Sequence, residues 1–403
     1  MKLKKRELDA QPTGPLRGIR VIDLTRFVTG NMMGHQLADL GAEIIKIEPP
    51  EGDPFRIWTT AGKNVWWQIY SRNKKSVALN FRSKRSIEII KKLILDADVL
   101  VENFKAGTLE KMGLDPQELL KANPKLVITR ISGWGQTGAF KHKPGFGTLV
   151  EGYCGFAAIN GFEDRPPVLP PMFLGDMTAG IYGAFATLAA ILNVKTGNGK
   201  GQVIDLALFD PILSTLGPQA ANYFLTGQLK RRTGSLSSTT CPRNVYKTSD
   251  GLWIAMSAAK QSIVEKLFTL MGREDMIHDP RFSDNAARLQ HVEIVDGAVA
   301  DFIRQKTLKE NLAQFEAHGI TAGPVNDASM LLDDEYVASR DSLIMFGEEG
   351  EEIPMHNVSA RMSETPGNIY RRAPDIGADN DEVLSGLLGA EAYQSYKADE
   401  TLV

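Results

Sequence analysis

A strand–helix–strand rhythm near the start restricts the fold of this chain more than any other feature. "RVIDLT" (20–25) is a β-branched run that ends in polar residues. "GNMMGHQLADLG" then spaces Met33, Leu37 and Leu40 along one helical face and stops at Gly41. "AEIIKIEPP" reads as a second strand, closed by Pro49 and Pro50. Strands joined through a helix run parallel, because the crossover returns the chain to the same edge of the sheet. The rhythm continues with "SIEIIKKLILDA" as helix, "DVLVEN" as strand, "GLDPQELLKANP" as short helix, and "KLVITRISGWG" as a strand that leaves into glycines. The start of the chain, to about residue 150, therefore predicts a doubly wound α/β domain, with ligands at the carboxyl ends of its strands.

Beyond Leu192, "KTGNGKG" predicts a tight turn and "QVIDLAL" a further strand. The texture changes around Gly217 and Pro218. "VYKTSDGLWIAMSA" predicts a hairpin turning on Ser249, Asp250 and Gly251, and three helical segments follow it. Residues 225–330 read as a smaller α+β domain after a first part spanning 1–224. The remainder, 331–403, carries a strand-like "SLIMF" and an amphipathic "NDEVLSGLLG".

Charge and cysteine content exclude several classes. The 46 basic and 49 acidic residues are interspersed and leave a net charge of −3, which gives no footprint for nucleic acid or an anionic membrane. Cys154 and Cys241 stand far apart, outside any C-x-x-C, and the six histidines form no H-E-x-x-H pair, so no disulfide framework and no metal site is expected. The charged N-terminus has no apolar core of a signal peptide. Met177–Leu192 is shorter than the ~20 residues of a membrane span and reads as a buried helix in a cytoplasmic protein.

The glycine motifs are decoys. "GWGQTG" (133–138) has the G-x-G-x-x-G spacing, but "AFKHKPGFG" follows where a dinucleotide site needs a helix to open. "KTGNGKG" lacks the upstream glycine and the Ser or Thr of a phosphate loop. No G-x-S-x-G is present. Two basic groups, Arg72, Lys74 and Lys75 in "SRNKKS", and Lys105 and Lys111 in "NFKAGTLEKMG", sit at edges of predicted strands, where a ligand with several phosphates would bind.

Asp176 is the one charge in "FLGDMTAGIYGAFATLAAIL". It reads as a helix N-cap. That does not exclude a nucleophile: a helix start stabilises the anion, and the small residues Gly175, Ala179 and Gly180 let a bulky activated acyl group approach.

These segments together resemble the family III CoA-transferases, the formyl-CoA transferase and CaiB/BaiF group. The resemblance runs from "PLRGIRVIDLTRFVTG" and "LADLGAEIIKIEPPEGDPFR" through "NKKSVALNF", "DVLVENFKAGTLEKMGL" and "LGDMTAGIYGAFATLAAIL" to "GITAGPVND" and "RRAPDIGADNDEVL". It implies a Rossmann-like large domain built from both chain ends, so that 331–403 returns to complete it, and an interlocked homodimer. It implies that Asp176 attacks an acyl-CoA thioester and then carries CoA as an aspartyl thioester, with no metal and no tightly bound cofactor. CoA contacts are implied at Phe27 and Val28 after the first strand, at the basic pair Lys74 and Lys75 with Arg72 beside it, at Asn103 and Phe104, and at Lys111 and Met112. The pattern departs from the family at Lys105, Ala106 and Ala139, and "TGSLSSTTCPRN" replaces a glycine-rich loop. Ser237, Ser238 and Arg243 in that region are expected to meet the acceptor, a small dicarboxylate such as succinate, malate, mesaconate or itaconate. An α-methylacyl-CoA racemase is the rival within the fold. It requires a histidine where this chain has Phe146, four residues beyond His142. A CoA-binding protein without turnover is a further rival, opposed by the presence of Asp176.

Overall fold

The computed structural model describes residues 2–197 and 199–398. Asn198, in the predicted glycine-rich turn, and 399–403, at the end of the return segment, lie outside the described residues.

Six strands form one parallel sheet in the order β3-β2-β1-β4-β5-β6: β1 (Arg20–Asp23), β2 (Glu43–Glu48), β3 (Lys74–Ala78), β4 (Val99–Glu102), β5 (Val127–Ser132) and β6 (Val203–Ala207). The predicted doubly wound α/β class is what forms. Within this sheet, β3 is the strand whose span the sequence reading left undrawn, its first two residues being lysines. Register places Ile22 beside Ile45 and Leu100, and Val21 beside Ile44 and Val99. Alternate residues therefore face opposite sides. Ile22, Ile45 and Leu100 pack on the helix Lys84–Leu95 and on Leu384, Tyr393 and Tyr396 near the carboxyl terminus. Val21, Ile44 and Val99 pack on Met33 and Leu37 of the helix Phe27–Asp39, and on Ala179, Ala184 and Ile191 of the helix Leu174–Lys195.

This last helix has 22 residues and is long and apolar enough to cross a membrane by length and composition. It is not buried all round, as the sequence had suggested. Gly175, Ala179, Gly183, Ala184, Thr187 and Ala190 are packed, while Ile181, Phe185 and Leu192 are exposed.

The chain divides into two compact units. The first runs to Phe156, takes up again over Leu169–Gly217, and returns from Leu332 onward. The second comprises Ala157–Val168 and Pro218–Leu331, so it starts before residue 225 and includes an outlying segment. That segment is tied in by Arg232, which donates to the carbonyls of Phe162 and Arg165 (3.1 and 2.9 Å). The second unit holds the antiparallel sheet of β7 (Arg243–Lys247), β8 (Trp253–Ser257) and β9 (Ala322–Pro324). Leu267, Val299 and Phe315 from three helices cover it. In the first unit, β10 (Leu343–Phe346) and β11 (Ile353–His356) form a small hairpin.

Candidate active site

Strand order reverses direction between β1 and β4, and the crevice at their carboxyl ends is where such sheets bind ligands. A cavity of about 250 Å³ opens there, lined by Arg26, Phe27, Thr29, Asn103, Lys105 and Asp176 among others. It continues into a second space of similar size that adds Trp134, Lys141 and Lys143.

The loop after β1 is held rigidly. Asn103 uses both ends of its amide on it: Oδ1 accepts from Arg26 N–H at 2.8 Å and Nδ2 donates to the Arg26 carbonyl at 2.7 Å. The buried Lys46 donates to the Thr25 carbonyl at 2.6 Å. Phe27 opens its helix at φ 60°, a left-handed conformation that costs a bulky residue on the order of 1–3 kcal/mol. Its N–H bonds Asp53 Oδ1 at 3.1 Å, and its carbonyl accepts from Asn31 at 2.7 Å. Arg26 is thereby aimed outward, its guanidinium 5.8 and 5.9 Å from the rings of Phe81 and Phe104. It forms no ion pair among the described residues, and its Nε has no hydrogen-bond partner.

Asp176 lies in the first turn of the Leu174–Lys195 helix, not at its cap. The cap position is Phe173, whose side chain caps nothing. Thr29 Oγ1 donates to Asp176 Oδ1 at 2.5 Å. The two helices come this close because of Gly180, where a β-carbon would stand 2.8 Å from the Thr29 carbonyl and from Met32. On the other side, a β-carbon on Gly147 would lie 2.2 Å from Asp176 Oδ2, so only glycine leaves the carboxylate its place. Burial pushes the Asp176 carboxyl above the ordinary aspartate value; the Thr29 hydroxyl and a backbone N–H oppose that shift. The sequence had pointed to a helix start that keeps the anion stable, and desolvation outweighs that effect here. A desolvated carboxylate held by the Thr29 hydroxyl and a backbone N–H, in a cavity that Arg26 and Lys105 also line, is suited to attack an acyl group.

Several sequence-predicted contacts are placed elsewhere. Arg72 is fully buried, bonding Asp39 (2.6 and 3.1 Å) and the His356 carbonyl (2.6 Å). Lys74 is fully buried on the Asn31 carbonyl and side chain (3.1 and 3.0 Å), and desolvation lowers its pKa to about 8. Lys75 bridges Glu43 and Glu382 at 2.8 and 2.7 Å. All three start from the amino end of β3; none lines the carboxyl-end cavity, and each is engaged by groups of the protein itself. A larger cavity of about 540 Å³ adjoins Lys75, but Arg20, Glu43, Asp96 and Lys75 around it are paired with one another. Val28 is core, packed with Phe55 and Trp67. Lys111 is exposed and Met112 packs on the sheet's hydrophobic core; neither lines the cavity. Phe27, Asn103 and Phe104 do line it.

Ser237, Ser238 and Arg243 belong to the second unit. Ser237 Oγ accepts from Thr239 and Thr240 N–H at 3.1 Å and closes its own turn, and Arg243 is an exposed residue at the start of β7. Phe146 lines the Asp176 cavity and is 68% exposed, whereas the exposed His142 does not line it. Among the described residues no histidine lines this cavity, where the racemase rival would place its second acid–base group. Thr29, Gly147 and Arg26 were missed by sequence reasoning, since no motif marks them.

A sequence model of CoA-transferase family III matches residues 16–380. The chain is 36% identical over 384 residues to the succinyl-CoA–D-citramalate CoA-transferase of Chloroflexus aurantiacus, covering 94% of this chain and 95% of that one. It is 33% identical to the succinate–glutarate CoA-transferase of Agrobacterium fabrum, covering 93% and 96%. A CAIB/BAIF family protein from Brucella suis has a similar structure, with TM-score 0.82 and 30% identity over 93% of this chain and all of the other. Rv3272 from Mycobacterium tuberculosis gives 0.81 and 28% over 92% and 99%.

Proposed function

This chain belongs to CoA-transferase family III, and from that premise we propose that it moves CoA from an acyl-CoA donor to a small dicarboxylic acid through covalent intermediates on Asp176. Acyl-CoA thioesters are the substrates of such an enzyme. The dicarboxylate preference is supported by relatives named for citramalate, malate and glutarate.

The observation that carries the mechanism is the Asp176 carboxylate, held by Thr29 and Gly147 in a cavity whose cations Arg26 and Lys105 have no ion pairs among the described residues. Asp176 attacks the thioester carbonyl carbon, the C–S bond breaks, and a mixed anhydride and CoA thiolate form. The thiolate attacks the aspartyl carbonyl of the anhydride and releases the donor acid, which leaves an aspartyl-CoA thioester. The acceptor carboxylate attacks that thioester, giving a new anhydride and the thiolate again. The thiolate then takes the new acyl group and frees Asp176. Each step exchanges one activated acyl bond for another, so no ATP is consumed. Arg26 and Lys105 are the groups suited to CoA phosphates or to the distal carboxylate of the acid. The exposed Phe146 is suited to shield the anhydride from water.

The exposed apolar residues Ile181, Phe185 and Leu192 in the first unit, and Phe224, Leu225 and Leu229 in the second, support a homodimer in which a second copy covers them. Light scattering that finds only monomer removes that part.

The functional test is exchange. Succinyl-CoA with malate, citramalate, mesaconate, itaconate or glutarate should yield the new CoA ester by mass spectrometry. Asp176→Ala should lower the rate by roughly 10⁴-fold or more while CoA still binds. Solvent exchange of the α-proton without acyl exchange would establish the racemase instead.

A further inference from the structure

A second carboxylate, Glu151, sits behind the nucleophile. It belongs to the helix Gly147–Tyr153 and is only 4% exposed. Its Oε1 accepts from the Gly175 N–H at 2.9 Å, with the Leu174 N–H beside it. These amides open the Leu174–Lys195 helix. Helices begin with unsatisfied N–H groups, normally met by the residue just ahead. Here that residue is Phe173, which offers no acceptor. Glu151 meets the need from another helix. One turn earlier on its own helix stands Gly147, against Asp176 Oδ2. One face of a single short helix thus touches the reacting carboxylate with its first residue and fixes that carboxylate's backbone with its fifth.

We infer that Glu151 is the positioning residue of the nucleophile: it caps the Asp176 helix from outside and sets a carboxylate beside the one that reacts. The inference rests on Asp176 being the nucleophile. Burial and the Asp176 charge both raise the Glu151 carboxyl, and the Gly175 N–H opposes them. The other charged or titratable groups facing the pair are few. Cys154 follows on the same helix, Arg26 and Lys105 stand across the cavity, and the packed helix Phe209–Thr215 contributes only the exposed Asp210. Thr29 faces Asp176 with a neutral hydroxyl.

Three variants of the full chain, Glu151→Ala, Glu151→Gln and Asp176→Ala, test this by steady-state transfer, CoA affinity, thermal melting and the pH profile of kcat/KM. Loss of the cap lets the first turn shift, and displacement of a reacting group by about 1 Å costs on the order of 10²-fold. Glu151→Ala should therefore lower kcat roughly 10- to 100-fold with CoA affinity unchanged. Glu151→Gln keeps an acceptor and removes the charge. It should recover most of kcat, because the Gly175 N–H keeps its acceptor, and leave the acid limb, set by Asp176, where it was. Should the Ala variant not fold, Glu151→Asp takes its place: the shorter side chain draws the carboxylate back from the Gly175 N–H and should lower kcat in the same way. Wild-type kcat in Glu151→Ala overturns the proposal, and so does a Glu151→Gln variant as slow as the Ala variant. If Asp176→Ala is dead while both Glu151 variants match wild type, only this inference fails. If Asp176→Ala still turns over, the nucleophile itself is misassigned.

Discussion

The two ends of the parallel sheet use charge in opposite ways. At the amino ends, Arg20, Arg72 and Lys75 each have a carboxylate partner at 2.5–2.8 Å. At the carboxyl ends, Arg26 and Lys105 line the Asp176 cavity with no ion pair among the described residues. The first set locks strands to helices and to the returning C-terminal segment. The second set is left for something that arrives. The lesson concerns basic motifs: a cluster of lysines marks a phosphate site only where the fold leaves the charges without carboxylates, and partners distant in sequence decide that.

Breaking an amino-end pair should cost fold, not affinity. Arg72→Met leaves the buried Asp39 carboxylate without its cation, and removing one partner of a buried pair costs about 3–5 kcal/mol. Denaturant unfolding should show that loss, with the KM of the folded fraction unchanged. A normal midpoint would dissolve the contrast. The reverse holds at the carboxyl end. Arg26→Ala removes no internal pair, so stability should hold, while KM for acyl-CoA rises about 10- to 100-fold, the worth of one or two charge-assisted hydrogen bonds. An unchanged KM would show that Arg26 meets no substrate anion.

Much of this fold was legible because buried parallel strands are short apolar runs set between helices, as "RVIDLT", "AEIIKIEPP" and "DVLVEN" show. β3 was not, since Lys74 owes its burial to Asn31 and Asp23, far away in sequence. Asp176 stood out as a lone charge on an apolar helix. Thr29 and Glu151, which hold it, come from elements 147 and 25 residues away, and no local spacing could join them. The outlying Ala157–Val168 was illegible for the same reason: its partner Arg232 lies in a distant loop.

Acid should act at the amino-end network and sharpen the comparison by a further, smaller effect. His35 and His356 meet Nε2 to Nε2 at 3.0 Å beside Arg72. Burial, then the Arg72 charge, holds His356 down to about 4 and His35 well below its usual range. Unfolded histidines take protons near pH 6.5. Between about 6.5 and 4 the unfolded chain therefore binds more protons, so stability is complete above that window and falls as pH drops through it. Melting at pH 5 should reveal a loss of roughly 1–3 kcal/mol relative to pH 7. His356→Asn should flatten the slope, whereas a wild-type profile already flat would contradict a neutral pair. Lys75→Ala should have the smallest effect, under about 1 kcal/mol with KM unchanged, because its two pairs are partly solvated.

Covalent chemistry at one side chain is the claim beneath all of these. The direct measurement is to stop the enzyme during turnover of succinyl-CoA with hydroxylamine, digest it, and map the peptide that contains residue 176. The account predicts a hydroxamate on Asp176 that appears only with acyl-CoA present. Product accumulating while that aspartate stays unmodified would contradict it.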